Sequence, residues 1–263
     1  MTGPISRYAV AAASALLFSS PAHAQLRVGV EPAVRYSTVS EYSQGGDRIV
    51  REAGWLPGIG AILAYHQQEL EVFGSVRAFR ADIDYDGKLQ NGSPYVTDTG
   101  TRHAGAQFGV RYWLGLTTGV IVAFETDIWD RDIKGRGVAV GLHERTRSGR
   151  LLVGAERAWL APDVGTFAAG ASVIRAEAER VDIHFSGTLD DVSLRTRPAT
   201  GYAIELKFSP TAMPDLVLGA QFDALKVRRG PTYAVTRQGV YAGDVAQPEH
   251  VRRNATIYVR YLF

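Results

Sequence analysis

The last nine residues constrain the chain more than any other stretch. Ala255, Ile257, Val259, Tyr261 and Phe263 occupy alternate positions, with Thr256, Tyr258, Arg260 and Leu262 between them. Successive side chains of an extended strand point to opposite faces, so a period of two gives one greasy face and one largely wet face. The pattern recurs upstream. Leu26, Val28, Val30, Val34 and Tyr36 alternate with Arg27, Gly29, Glu31 and Arg35, and Trp55, Ile59, Ala61, Leu63 and Tyr65 share a face. Leu70, Val72, Val76 and Ala78 oppose Glu71, Ser75 and Arg77; Ala106, Phe108, Val110 and Tyr112 oppose Gln107, Gly109 and Arg111. Similar runs start near Val120, Arg150, Thr166, Tyr202 and Leu216, for about ten strands in all.

Residues Met1 to Ala24 read as a secretory signal peptide: Arg7, an uncharged Ala/Val/Leu run from Ala9 to Phe18, and the small-x-small site Ala22-His23-Ala24. No later uncharged stretch approaches the ~20 residues of a spanning helix. Hydrocarbon tolerates no unpaired backbone amide, so a chain of two-faced strands can cross a bilayer only as a closed cylinder. The expectation is therefore an all-β protein, with residues 25–263 forming one antiparallel transmembrane β-barrel of about ten strands in the outer membrane. An even strand number leaves both termini on the periplasmic side. A formal net charge of +2 in 263 residues argues against a nucleic-acid partner, and with no cysteine there is no thiol chemistry.

The C-terminal aromatic, preceded by alternating aromatic and aliphatic residues, resembles the C-terminal signature of outer-membrane β-barrels. That resemblance implies recognition of Phe263 by the barrel-assembly machinery. Connection lengths support the same architecture. Short links fall at His66 to Glu69, Leu114 to Thr118, Leu160 to Gly165 and Ser209 to Pro214. Longer polar links fall at Ser37 to Gly54, Asp86 to Arg102, Asp132 to Gly149, Ser186 to Ala199 and Arg229 to Arg252. Short periplasmic turns and long extracellular loops are the asymmetry of this class. The expected inward charges are Glu31, Arg35, Glu71, Arg77, Arg111, Glu125, Asp127, Glu205, Lys207, Asp223 and Arg260. Both signs occur, and buried charges must pair. Ten strands enclose a space only slightly wider than side chains can fill. A charge-filled lumen with a structural or surface-interaction role follows.

Two motifs fall at expected outer strand ends, Asp82-Ile83-Asp84 and Asp182-Ile183-His184. At i, i+2 spacing each polar pair shares a face. For Asp82 and Asp84 to face inward, the third strand needs one bulge near Phe79. An Asp-x-Asp in the second extracellular region and an Asp-x-His in the fourth, on such a barrel, resemble the omptin proteases. The resemblance implies an endopeptidase in which Asp82 and Asp84 form a carboxylate pair, His184 is the general base and Asp182 orients it. Outside these six residues no omptin signature occurs, and the plain alternative is rim charges pairing with Arg77, Arg80 or Arg180. Asp82-x-Asp84-x-Asp86-Gly87 opens like a calcium loop but carries Ser93 at its twelfth position. His184-Phe185-Ser186 is similar to the His-x-Ser of outer-membrane lipid A deacylases, without that family's continuation. No cofactor or metal is expected. The other histidines are expected to be solvated. Arg145, Arg147, Arg150, Arg228, Arg229, Arg252 and Arg253 are read as loop residues able to meet outer-membrane lipids and lipopolysaccharide phosphates.

Overall fold

A computed structural model describes residues 25–88, 92–137 and 140–263; the expected signal peptide lies outside the described residues. The chain runs β1 (Gln25–Tyr42), β2 (Arg48–Gln67), β3 (Leu70–Lys88), β4 (Pro94–Leu114), β5 (Thr118–Ile133), β6 (Leu142–Ala161), β7 (Gly165–Ala176), β8 (Arg180–His184), β9 (Val192–Arg195), β10 (Ala199–Pro210), β11 (Leu216–Val227), β12 (Tyr233–Arg237), β13 (Val240–Val245) and β14 (Glu249–Leu262). Each neighbour pairs antiparallel. β5 pairs with β6 while β14 pairs with both β11 and β1, so the sheet closes. Ten strands make the ring: β1 to β7, β10, β11 and β14. β8 continues β7 along β6, β9 pairs with β8, and β12 and β13 form a separate hairpin.

The alternation becomes a wall with two different faces. Leu26, Val28 and Val30 of β1, Ile59 and Leu63 of β2, and Tyr202, Ile204 and Leu206 of β10 are exposed on the outside. Glu31, Ala203, Asp223, Asn254 and Thr256, on the other phase, are buried within. An apolar outer belt that water would penalise is what lipid requires. The expected inward charges Glu31, Arg35, Glu71, Arg77, Arg111, Glu125, Asp127, Glu205, Lys207, Asp223 and Arg260 all lie on the inner phase of their strands.

The extracellular connections differ from expectation. Most of their length is strand: the link between β1 and β2 shrinks to residues 43–47, and that between β5 and β6 to 134–141. Above the bilayer both faces of a strand are wet, so the hydrophobic alternation fades although the hydrogen-bonded ladder continues. The breaks between β7 and β8 and between β9 and β10 have a local cause. Glu179 turns inward there, and its amide donates to Thr196 Oγ1 at 2.8 Å while Thr196 N donates back to the Glu179 carbonyl at 3.0 Å.

Candidate functional site

The lumen is a stack of charge-paired layers. At the periplasmic end Arg111 donates to Glu71 at 2.5 Å and lies 3.6 Å from Glu156, which also holds Lys207. Glu205 accepts the Tyr258 hydroxyl at 2.7 Å. Above it, Glu31 takes Arg77 at 2.6 Å and Arg260 at 2.7 Å, and Arg77 reaches across to Gln221 at 2.6 Å. The Tyr258 ring lies near both guanidinium groups, 5.2 Å from Arg77 and 5.0 Å from Arg260. It fits because Gly219 is its cross-strand partner: a Cβ there would stand 2.0 Å from the ring.

Midway, Arg35 donates to Thr256 at 3.1 Å and stacks 4.0 Å over Phe79. Asn254 accepts from Ser37 at 2.9 Å and donates to Asp223 at 2.9 Å. Arg150 meets Asp127 at 2.7 Å, and Arg252 meets Asp127 at 3.4 Å and pairs with Glu179, which His250 also approaches at 3.2 Å. Two cavities of about 60 and 130 Å³ interrupt the packing, both bordered by Arg77, Gln107 and Gln221. Each has room for several waters.

Near the extracellular end a single cation serves three acids. Buried Arg131 reaches Glu41 at 3.0 Å and Glu52 at 3.1 Å and also pairs with Glu144. Its guanidinium lies 4.6 Å from the Trp129 ring, which Arg252 approaches from below at 5.6 Å. Over this sits an apolar cap: Val181, Ile183 and Leu194, packed by Tyr233 and Val245 of the hairpin. Asp190 locks the hairpin in place, accepting Thr236 Oγ1 at 2.5 Å, Gln238 N at 3.0 Å and Gly239 N at 2.9 Å.

The two rim motifs face the other way. The β3–β4 register runs unbroken from Leu70↔Tyr112 to Lys88↔Pro94, so the bulge expected near Phe79 is absent. Ile83 therefore points inward and is buried, while Asp82 and Asp84 lie exposed on the outer face. Asp82 pairs with Lys134 at 2.5 Å. In β8, Val181 and Ile183 take the inner phase, which turns Asp182 and His184 outward. Asp182 is held by Arg147 at 2.8 Å, Arg180 at 3.0 Å and Ser193 at 2.6 Å, and His184 Nδ1 lies 2.7 Å from Asp191. The four side chains thus occupy the wall's exterior on strands separated by β4, β5 and β6. Among the described residues no three His, Asp or Glu side chains are grouped to hold a metal ion.

Four further residues lie inside the barrel rather than in solvent. Arg150 and Arg252, read as loop residues, are buried inside the barrel, as are His103 and His250, read as solvated. The missed signal is continuity of phase. Glu125, Asp127, Trp129 and Arg131 keep one parity along β5, and Arg252 shares parity with Thr256 and Tyr258 in β14.

Among solved structures, the outer membrane protease OmpT from Escherichia coli superposes with a TM-score of 0.56 over 93% of this chain and 98% of its own, at 8% identity. The fold is that of an outer-membrane β-barrel. The translocator domain of the autotransporter NalP from Neisseria meningitidis also matches, with a TM-score of 0.46 at 10% identity over 98% of this chain and 94% of its own. No family model matches the chain, and no curated protein matches it. At such identities the likeness concerns fold alone, and that fold places the barrel in the outer membrane.

Proposed function

We propose that the barrel is a closed, non-conducting scaffold of the outer membrane whose role is structural or one of surface interaction. The observation that carries this reading is the lumen itself: from Glu71 to Arg131 it is crossed by ion pairs, and its extracellular mouth lies under the β12–β13 hairpin. Breaking a buried pair by removing one partner is expensive, so such a plug does not open to pass solutes. The exposed surface that remains for partners is the rim and the hairpin, where Val240 and Tyr241 are exposed. Phe263 is exposed at the end of the closing strand, accessible to the barrel-assembly machinery before β1 and β14 pair.

Planar-bilayer recording on the refolded full chain tests the reading. The expected result is a flat baseline; unitary conductance steps of the unmodified protein would overturn it. The omptin-like alternative needs Asp82, Asp84, Asp182 and His184 around one water in a groove, and their outward placement favours the scaffold reading instead. A peptide-cleavage assay in detergent comparing the native chain with His184→Ala separates the two. The scaffold reading expects no cleavage by either; cleavage lost only in the variant would establish the enzyme.

A further inference from the structure

Just above the apolar belt, the outer wall carries several arginines that form no ion pair of their own. Following these strands outward, the first charged residue on the external phase is Arg80 in β3, Arg102 in β4, Arg175 in β7 and Arg253 in β14, whereas in β5 it is Asp130, the cross-strand partner of Arg102, which Arg145 already holds at 2.6 Å. None of these four forms an ion pair within the described residues. Arg147 occupies the same place in β6 and shares Asp182 with Arg180. Arg80 and Arg102 are direct cross-strand partners. Like charges so placed repel and cost stability, and Asp130, committed to Arg145, offsets Arg102 only in part, so a further anion over the pair would be favourable.

Directly beneath that pair the wall is hollowed. Ala78, Ala104, Ala106 and Thr126 form the floor of an external groove, and Val76 and Ile128 form part of its walls. Ala78 and Ala104 are paired one step below Arg80 and Arg102, so groove and arginines form one continuous strip from hydrocarbon to headgroup depth. Small residues alone would be an accident of packing, and arginines alone a solvated edge. Their stacking in register has the chemistry of an amphiphile: an acyl chain below and a phosphate above, suited to the bidentate guanidinium fork.

We propose that the β3–β4–β5 wall is a binding site for one phosphorylated glycolipid of the outer leaflet, lipopolysaccharide, with Arg80 and Arg102 on a lipid A phosphate and an acyl chain along Ala78, Ala104 and Ala106. The assignment rests on the barrel reading above, because it needs these strand ends to face outward from the cell. The occupant is lipopolysaccharide because a lipid A phosphate is a monoester with up to two negative charges, which matches the Arg80–Arg102 pair better than a singly charged phosphodiester does.

The test is lipid retention by the refolded full chain in dodecylmaltoside, read by native mass spectrometry. The probes are bisphosphoryl lipid A, its dephosphorylated form, phosphatidylglycerol and inorganic phosphate. The expected result is retention of bisphosphoryl lipid A over the others. It should fall roughly ten-fold in Arg80→Ala/Arg102→Ala, as the loss of two charge-assisted contacts implies. Ala104→Phe, which fills the groove and leaves both arginines, should lower retention as well, whereas Arg48→Ala/Lys88→Ala at the strand tips should not. Equal retention by all variants, no retention by the native chain, or displacement of lipid A by phosphatidylglycerol or inorganic phosphate would overturn the site. Heat-modifiable migration of the same samples keeps the two readings apart. A chain that is not a barrel fails that check, while a folded barrel without lipid A fails only the site.

Discussion

Arg131 shows what a buried charge does in this lumen. One guanidinium faces Glu41, Glu52 and Glu144, so the acids outnumber the cation that holds them together. Arg131→Met leaves buried carboxylates without a counter-charge and should cost about 3–5 kcal/mol, read as a lowered denaturant midpoint in micelles. Glu52→Gln is expected to be far milder, because it removes one of three competing negatives and keeps a hydrogen-bonding side chain at the same site. If both substitutions cost alike, the cluster is not organised around its cation. Gly219 makes the complementary point about volume. A Cβ there would meet the Tyr258 ring at 2.0 Å, and Gly219→Val is expected to lose about 1–3 kcal/mol by displacing that ring from Glu205.

The β12–β13 hairpin packs on the barrel mouth through Tyr233 and Val245, and the Asp190 carboxylate accepts three of the hydrogen bonds that hold it there. Donation from Thr236 and from the Gly239 amide holds the Asp190 carboxyl below its ordinary value of 3.8. A depressed carboxylate stabilises the folded state above its unfolded value and loses that contribution as pH falls through the lowered folded value. Protection of the Gln238 and Gly239 amides from hydrogen exchange should therefore hold steady from neutral pH to about pH 4 and decline only below it. Asp190→Ala should abolish it at every pH. This latch was not legible in the sequence, because Thr188 to Asp191 and Thr236 to Gly239 are separated by more than forty residues and carry no periodic signal. What was legible follows the bilayer. Wherever one face meets lipid, as in Tyr202 to Phe208 or Ala255 to Tyr261, the two-residue period names strand and phase together. Beyond it the apolar reference disappears. In β3, a bulge near Phe79 would put Asp82 and Asp84 inside; unbroken pairing with β4 puts Phe79 and Ile83 there instead. A one-residue error in phase inverts a site, and the two rim motifs show it.

For the molecule as a whole, the surface asks for two solvents at different heights. Ile204 lies in the middle of β10, exposed on the outer wall among Tyr202 and Leu206, and Val96 lies exposed on the outer wall of β4 near its extracellular end. In water these two positions would be equivalent, since both side chains stand clear of the lumen. In a bilayer they are not. An arginine at the midplane of a lipid-facing strand costs about 2–4 kcal/mol, and near or above the interface about 0–1. Ile204→Arg should thus lower the folding free energy in phospholipid vesicles strongly and Val96→Arg hardly at all. Closure sharpens the contrast, because with β14 bonded to both β1 and β11 no strand edge can splay to carry the charge toward water. Equal costs at the two sites, measured by urea titration of vesicle-inserted protein, would mean that the belt does not sit in hydrocarbon. Unequal costs in this order would locate the bilayer along the strands, with its outer boundary between Ala104 and Arg102 on β4.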